Sequence, residues 1–418
     1  THSLYRNRCV KPIVTEQIDG YILSWEDGMV SIKVSRLDDH SDGRLTGELL
    51  ISTNKPGLGP ILMPATQINF TAERTRASLI KNLTETFPDF PSWAIIINQL
   101  THYVQGAVRK GEPVQELWTH EEIQKPEYLL EPLLFKGLPN AIFGEKGVSK
   151  STMSLIAYIC LLLPWTENHL GFTAPAHSTP SLILDWETES NVVQYYAKRL
   201  QIGMNLPSIP IFYRRCTAPL TDNIEQIQKH IVDTKSEVVI IDSLGAAAGG
   251  ELNKPEIALK FFAALRKLKV TSLIIGQTSK SEDKKKHIFG SVYFEYYCRN
   301  IFELCKSEDG EDEDDVTLAL FHKASNLSRK HKPMGFRLHY NEVGIEVESQ
   351  AVTYGEFLEK VSTKLKIEEI LRNGVMSSEE IKEALSLSPV NLRVTLKRLK
   401  DANKIIKVGE KWGLRSFP

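Results

Sequence analysis

The chain has little of what would mark a secreted, membrane-spanning or zinc-stapled protein. Its five cysteines (Cys9, Cys160, Cys216, Cys298 and Cys305) are odd in number and show neither CxxC nor Cys/His spacing. That argues against a disulfide scaffold or a zinc module and fits a reducing compartment. Long apolar runs are missing, and the longest, Met153 to Leu163, is too short to cross a bilayer. The opening residues THSLYRNRCVKP lack the apolar stretch of a signal peptide, so a cytoplasmic location is expected. Net charge is almost absent, −1 over 418 residues. Any contact with a polyanion must therefore come from local basic patches.

What is present is globular: 42% hydrophobic and 25% charged residues, in a length that suits two or three domains. Residues 1–126 read as an α+β accessory domain. GYILSWEDGMVSIKVSRL and GELLISTN alternate apolar and polar positions as strands do, with HSDGRLTG as the loop between them. RTRASLIKNLTETF and SWAIIINQLTHYVQGAVRK follow with helical periodicity. No motif here points to chemistry.

Across residues 127–350 short apolar runs alternate with helical stretches, the pattern of an α/β domain with a mainly parallel sheet. The expected strands are NAIFG, PSLILDW, EVVIID, TSLIIGQ, RNIFELCK and VTLALFHK. The expected helices are Ser151–Leu163, Val192–Gln201, Asn223–Thr234 and Pro255–Leu268. The acidic run SEDGEDEDD reads as a solvated hairpin tip. Residues 351–418 change character: TYGEFLEKVSTKLKIEEILRNG, SSEEIKEALS with its serine cap, and SPVNLRVTLKRLKDANK read as helices, and IIKVGEKWGL as a two-stranded wing around Gly409. Three helices and a hairpin resemble a winged helix.

The strongest motif is GEKGVSKST, comprising Gly144, Glu145, Lys146, Gly147, Val148, Ser149, Lys150, Ser151 and Thr152. It follows an apolar strand and opens a helix, the setting in which backbone N–H groups converge on phosphates. Lys150 would lie against the β- and γ-phosphates of ATP, Ser151 would offer its hydroxyl to Mg²⁺, and Thr152 would sit near the α-phosphate. Ser149 stands where the pattern G-x-x-x-x-G-K-[ST] has glycine, which serves a tightly wound backbone. Asp242 closes the apolar strand EVVIID, where an open α/β sheet keeps its ligands. A carboxylate there can hold Mg²⁺ through water.

With both motifs in place, residues 135–340 resemble the RecA-like P-loop ATPases, most closely the RepA-type hexameric helicases and AAA-family ATPases of plasmids and mobile elements. The resemblance implies catalytic roles for Glu187 in SLILDWETE, which would activate the attacking water, with Glu189 the competing choice by spacing. It also implies a γ-phosphate sensor in Gln277 of LIIGQTSK and a cation donated to the neighbouring subunit's ATP in Lys323 of LALFHKASN. Related replicative helicases place an arginine two residues after that lysine, where this chain has Ser325; Arg329 lies further along. The stretches GAAAGGELNKPE and SKSEDKKKHIFG occupy the places of DNA-contacting loops, offering Lys254, Lys280, Lys284, Lys285 and Lys286 to phosphates. In the C-terminal domain Arg393, Lys397, Arg398 and Lys400 crowd the third helix, a basic surface suited to DNA.

These features together lead us to expect an ATP-dependent motor on DNA: an oligomeric, hexameric replicative helicase hydrolysing ATP at subunit interfaces, with single-stranded DNA in the core loops and duplex at the winged helix. An ATP-switched assembly or regulatory protein with little turnover, or a recombination or repair ATPase, is the alternative.

Overall fold

The structure, a computed structural model, describes residues 11–25, 29–40, 42–90, 92–110, 114, 116, 125–164, 168–278, 288–307, 314–352, 357 and 363–415. Its contacts divide the chain into two compact units. The first contains the chain up to Glu127 together with Cys216–Glu237 and Gly245–Val270; the second contains Tyr128–Arg215, Val238–Leu244 and everything from Thr271 onward.

The first unit begins with a sheet whose strands pair antiparallel in chain order: β1 (Ile13–Gln17), β2 (Gly20–Trp25), β3 (Val30–Asp39), β4 (Leu45–Ser52) and β5 (Ile61–Asn69). Strict alternation in β4 sends Leu45, Leu49 and Ile51 inward. The helices α1 (Glu73–Thr86) and α2 (Trp93–Lys110) follow. In α2, Trp93, Ile96, Ile97, Leu100 and Val104 are buried, the i, i+3, i+4, i+7 stripe of a helix lying on a core.

In the second unit, β6 (Tyr128–Leu130) and β7 (Leu134–Phe135) form a short pair ahead of β8 (Pro139–Gly144). Then come α3 (Lys150–Leu162), β9 (Ser181–Asp185), α4 (Ser190–Gly203) and β10 (Phe212–Arg215). The chain enters the first unit for α5 (Ile224–Thr234), returns for β11 (Val238–Asp242), and leaves again through α6 (Leu244–Ala248) to α7 (Pro255–Leu268). Both helices were expected inside the 127–350 core. Ion pairs tie them to the N-terminal strands: Lys33 to Glu225 (2.5 Å), Lys260 to Asp38 (2.8 Å) and Lys267 to Asp19 (3.0 Å).

The second unit continues with β12 (Thr271–Gln277), α8 (Tyr293–Tyr297), β13 (Asn300–Lys306), β14 (Asp315–Ser325), β15 (Met334–Tyr340) and β16 (Ile345–Gln350). Its nine-stranded sheet has the order β10-β9-β11-β12-β8-β13-β14-β15-β16. Strands β10 to β13 in that order run parallel, and β14, β15 and β16 extend it antiparallel. Every residue of β9 and β11 is buried, which is why both read as unbroken apolar runs. The helix α3 is buried from Thr152 to Leu161. Strands β1, β5, β10 and β16 were not anticipated, because they are edge strands with many exposed or half-exposed positions and so lack a strong apolar pattern; nor were the short β6 and β7, or β15, which lies inside the sheet.

The C-terminal region folds as α9 (Thr363–Ile370), β17 (Met376–Ser377), α10 (Ser378–Ala384), α11 (Pro389–Asp401), β18 (Ile405–Val408) and β19 (Lys411–Leu414), with sheet order β17-β19-β18. Ser377 and Glu380 form a reciprocal capping box on α10. Ser388 caps α11 and Pro389 opens it. Gly409, at φ +62°, turns β18 into β19. Ile367, Leu371, Ile381, Leu392, Leu396, Leu399 and Ile405 make a small core of their own.

Candidate functional site

The motif of residues 144–152 joins the end of β8 to the start of α3. Gly144 is needed for close approach, since a Cβ there would meet the Leu304 carbonyl oxygen at 2.5 Å. Gly147 has φ +83° and Ser149 has φ +60°, ψ +33°. The serine that replaces glycine therefore sits in the left-handed region glycine would favour, at a cost of about 1 kcal/mol. Ser149 is also the N-cap of α3 and makes no side-chain cap, so its hydroxyl satisfies none of the N–H groups at this helix start. Beside it, the half-buried Tyr340 hydroxyl lies within reach of the Ser149 and Thr152 hydroxyls; nothing in the sequence pattern marks this tyrosine.

Parallel pairing of β11 with β9 sets Asp242 directly beside Asp185, and both are almost fully buried. The Asp242 carboxylate accepts a hydrogen bond from the Ser151 hydroxyl (2.6 Å). Burial pushes the Asp242 carboxyl up to about 6, helped by Asp185 and Glu187 and opposed by the Ser151 hydrogen bond and Lys150. Burial raises Asp185 as well, against backbone hydrogen bonds from Thr188 (2.9 Å) and Glu187 (2.8 Å). Asp185 is a site residue that sequence reasoning missed. Its signal was there: SLILD and EVVIID are both apolar runs ending in aspartate.

Lys150 donates to the carbonyls of Gly144 (3.0 Å) and Glu145 (2.6 Å). Burial lowers its pKa, opposed by the charges of Asp242 and Glu187. The Glu187 carboxylate accepts from the Ser243 hydroxyl. Glu187 and Glu189 are both exposed; Glu189, the competing choice, pairs with Arg215 (3.3 Å). Gln277 is the register partner of Gly144 at the tip of β12, the strand between β8 and β11. The structure thus gathers Lys150, Ser151, Asp185, Asp242, Glu187 and Gln277 at one end of the sheet.

Other expected residues lie elsewhere. Lys323 is the extra residue of a bulge in β14, and pairs with Glu303 (2.9 Å), which is 1% exposed. Ser325 accepts backbone N–H groups of Leu327 and Ser328 and so holds the following turn; Arg329 is exposed. Lys254 sits at the N-cap position of α7 without a side-chain cap and pairs with Glu251 (3.3 Å). Lys280, Lys284, Lys285 and Lys286 lie outside the described residues. On α11 Leu392, Leu396 and Leu399 face inward, leaving Arg393, Lys397, Arg398 and Lys400 exposed.

The donor set fits a nucleotide-bound magnesium ion. Among the described residues no group of three or more His, Cys, Asp or Glu forms a metal cage. A hydroxyl and one or two carboxylates next to a phosphate-binding turn are what Mg²⁺ uses when phosphates complete its shell. Also among the described residues, no helix is long and apolar enough to cross a membrane.

Residues 109–283 match the family model of an AAA domain. No curated protein matches the chain. Among solved structures, a KaiC-like protein from the hyperthermophilic archaeon Pyrococcus horikoshii OT3 is similar at 15% identity and a TM-score of 0.35, over 56% of this chain and 99% of that one. The family match covers the phosphate loop, Asp185, Glu187, Asp242 and Gln277. With the geometry of those residues, it supports a P-loop ATPase core.

Proposed function

We propose that the protein is an ATP-driven motor on DNA, working as a RepA-like hexameric replicative helicase of a plasmid, phage or other mobile element. The observation that carries this reading is the contact of Ser151 with Asp242 at the foot of the loop, with Glu187 and Lys150 close enough to shift its titration. When bound, MgATP supplies a γ-phosphoryl group that can pass to water. Loop N–H groups and Lys150 hold its phosphates; Ser151 and Asp242 hold the ion, with Asp185 behind them. Glu187, steadied by Ser243, orients the water and accepts its proton. Gln277 reads the γ-phosphate from the tip of β12. The C-terminal region acts as a winged helix, with the basic face of α11 on duplex phosphates. Lys323 serves a neighbouring subunit after exchanging Glu303 for phosphate.

Purified protein should hydrolyse ATP faster with single-stranded DNA, and Lys150→Ala should lower that turnover roughly 10²-fold or more. One observation favours a second reading, an ATP-switched assembly protein with little turnover: the left-handed Ser149 in the loop. Negligible hydrolysis that no nucleic acid stimulates, beside ATP-dependent oligomer growth on sizing, would select it over the motor.

A further inference from the structure

Ser149 holds a backbone conformation that glycine would adopt freely, at φ +60° and ψ +33°. A serine persists in the left-handed region where its surroundings fix it there. The group that does so comes from a strand far along the chain. Tyr340, at the end of β15, is half-buried, and its phenol oxygen lies within reach of the Ser149 and Thr152 hydroxyls. Burial pushes the phenol pKa up, so the group stays neutral. A neutral phenol has one proton to give and lone pairs to accept with, which suits two hydroxyl partners at once. Those partners bracket Lys150 and Ser151, the side chains expected on phosphate and magnesium.

Tyr340 is itself held by a hairpin clamped onto α4. Tyr340 and Ile345 are the register pair that flanks the turn between β15 and β16. Asn341 closes that turn, its side-chain oxygen accepting from the N–H groups of Val343 (3.0 Å) and Gly344 (2.6 Å). From α4, Arg199 donates to the carbonyls of Asn341 and Gly344 (3.1 Å for the second). Its guanidinium lies 5.9 Å from the centre of the Tyr340 ring. The backbones also meet closely, since a Cβ on Gly203 would come within 2.1 Å of the Ile345 carbonyl oxygen. Helix α4 in turn follows the short connection that carries Glu187. The phenol thus joins the helix behind Glu187 to the loop that opens α3.

We propose that Tyr340 is a positioning residue for nucleotide binding: its hydroxyl holds Ser149 in the left-handed conformation and thereby fixes the loop N–H groups that meet the phosphates. The proposal rests on the ATPase reading and needs nothing from the DNA-motor reading. Serine at a glycine position and tyrosine on a distant strand then act as a pair.

The test is binding of a fluorescent ATP analogue with Mg²⁺ to the full-length protein, measured beside ATP turnover. Tyr340→Phe keeps the ring against Arg199 and loses only the hydroxyl. It should weaken binding about 10-fold and raise KM for ATP to match, with kcat changed by less than about 2-fold. In a Ser149→Gly background the same substitution should cost less than about 2-fold, because glycine needs no partner to hold its backbone. Circular dichroism should show all variants folded. If the parent protein binds no nucleotide, the ATPase reading itself fails and the pair with it. If it binds and Tyr340→Phe binds equally well, the pair alone is wrong. Equal losses in the two backgrounds would also overturn the proposal, since the phenol would then act through Thr152 or through packing. A fall in kcat at unchanged KM would overturn it as well, because Tyr340 would then serve the chemical step.

Discussion

At the end of the core sheet, Asp185 and Asp242 are taken out of water together and Lys150 is half-buried beside them. On α11, Arg393, Lys397 and Lys400 stand in water above an apolar underside. The two regions treat charge in opposite ways, and the effects of mutation should differ accordingly. In the core, each group's titration depends on its neighbours, so one change disturbs several groups. On the helix the charges are screened and nearly independent.

The largest effect is expected at Glu187. Glu187→Gln should reduce steady-state ATP turnover by roughly 10²- to 10⁴-fold while a fluorescent nucleotide still binds, and Glu189→Gln should change little. Equal losses from both would mean that the orientation imposed by Ser243 does not select the base. Asp242 comes next. Its carboxyl titrates at about 6, against an ordinary value of 3.8. The folded state therefore holds the proton more tightly, and stability falls as pH rises from about 4 through 6. Above that window the buried charge costs about 2–3 kcal/mol. Asp242→Asn should accordingly raise the melting temperature at pH 7.5, with the gain fading as pH falls from about 6 to 4, and should abolish Mg²⁺-dependent nucleotide binding. A variant that melts lower at pH 7.5 would show that the carboxylate is already compensated by its neighbours.

Smaller effects are expected on α11. Arg393→Ala and Lys397→Ala should each weaken duplex binding a few-fold and reduce the salt slope by about 1, additively. A change in DNA-free ATP turnover from either would break the contrast between the two regions. The smallest effect belongs to Ser149→Gly, which relieves a left-handed serine but adds freedom to the unfolded chain. A net gain of about 0.5 kcal/mol is expected in denaturant unfolding. Loss of stability would mean that the Ser149 hydroxyl near Tyr340 matters more than its backbone.

Much of this architecture was legible residue by residue. The helical stretches expected from Ser151, Val192, Asn223 and Pro255 form α3, α4, α5 and α7, because amphipathic periodicity is written within a dozen neighbouring residues. The capping box of Ser377 and Glu380 and the turn at Gly409 are equally local. The candidate site was legible where one motif carries it, in residues 144–152, and less so where it is assembled. In DWETES, Asp185 is buried, Glu187 accepts from the Ser243 hydroxyl, and Glu189 pairs with Arg215. Nothing in the spacing of those carboxylates distinguishes them.

By itself, then, the sequence determined where chain segments coil or extend and where a turn can wrap phosphates, since torsional preference and the periodicity of apolar side chains act over a few residues. Tertiary structure decided which strands lie side by side. Only that choice sets Asp185 against Asp242, places β12 with Gln277 next to the loop, and turns Lys323 out of a bulge onto Glu303. These are contacts between residues far apart in the chain. Their geometry follows from sheet order and register, which emerge only when the whole core closes.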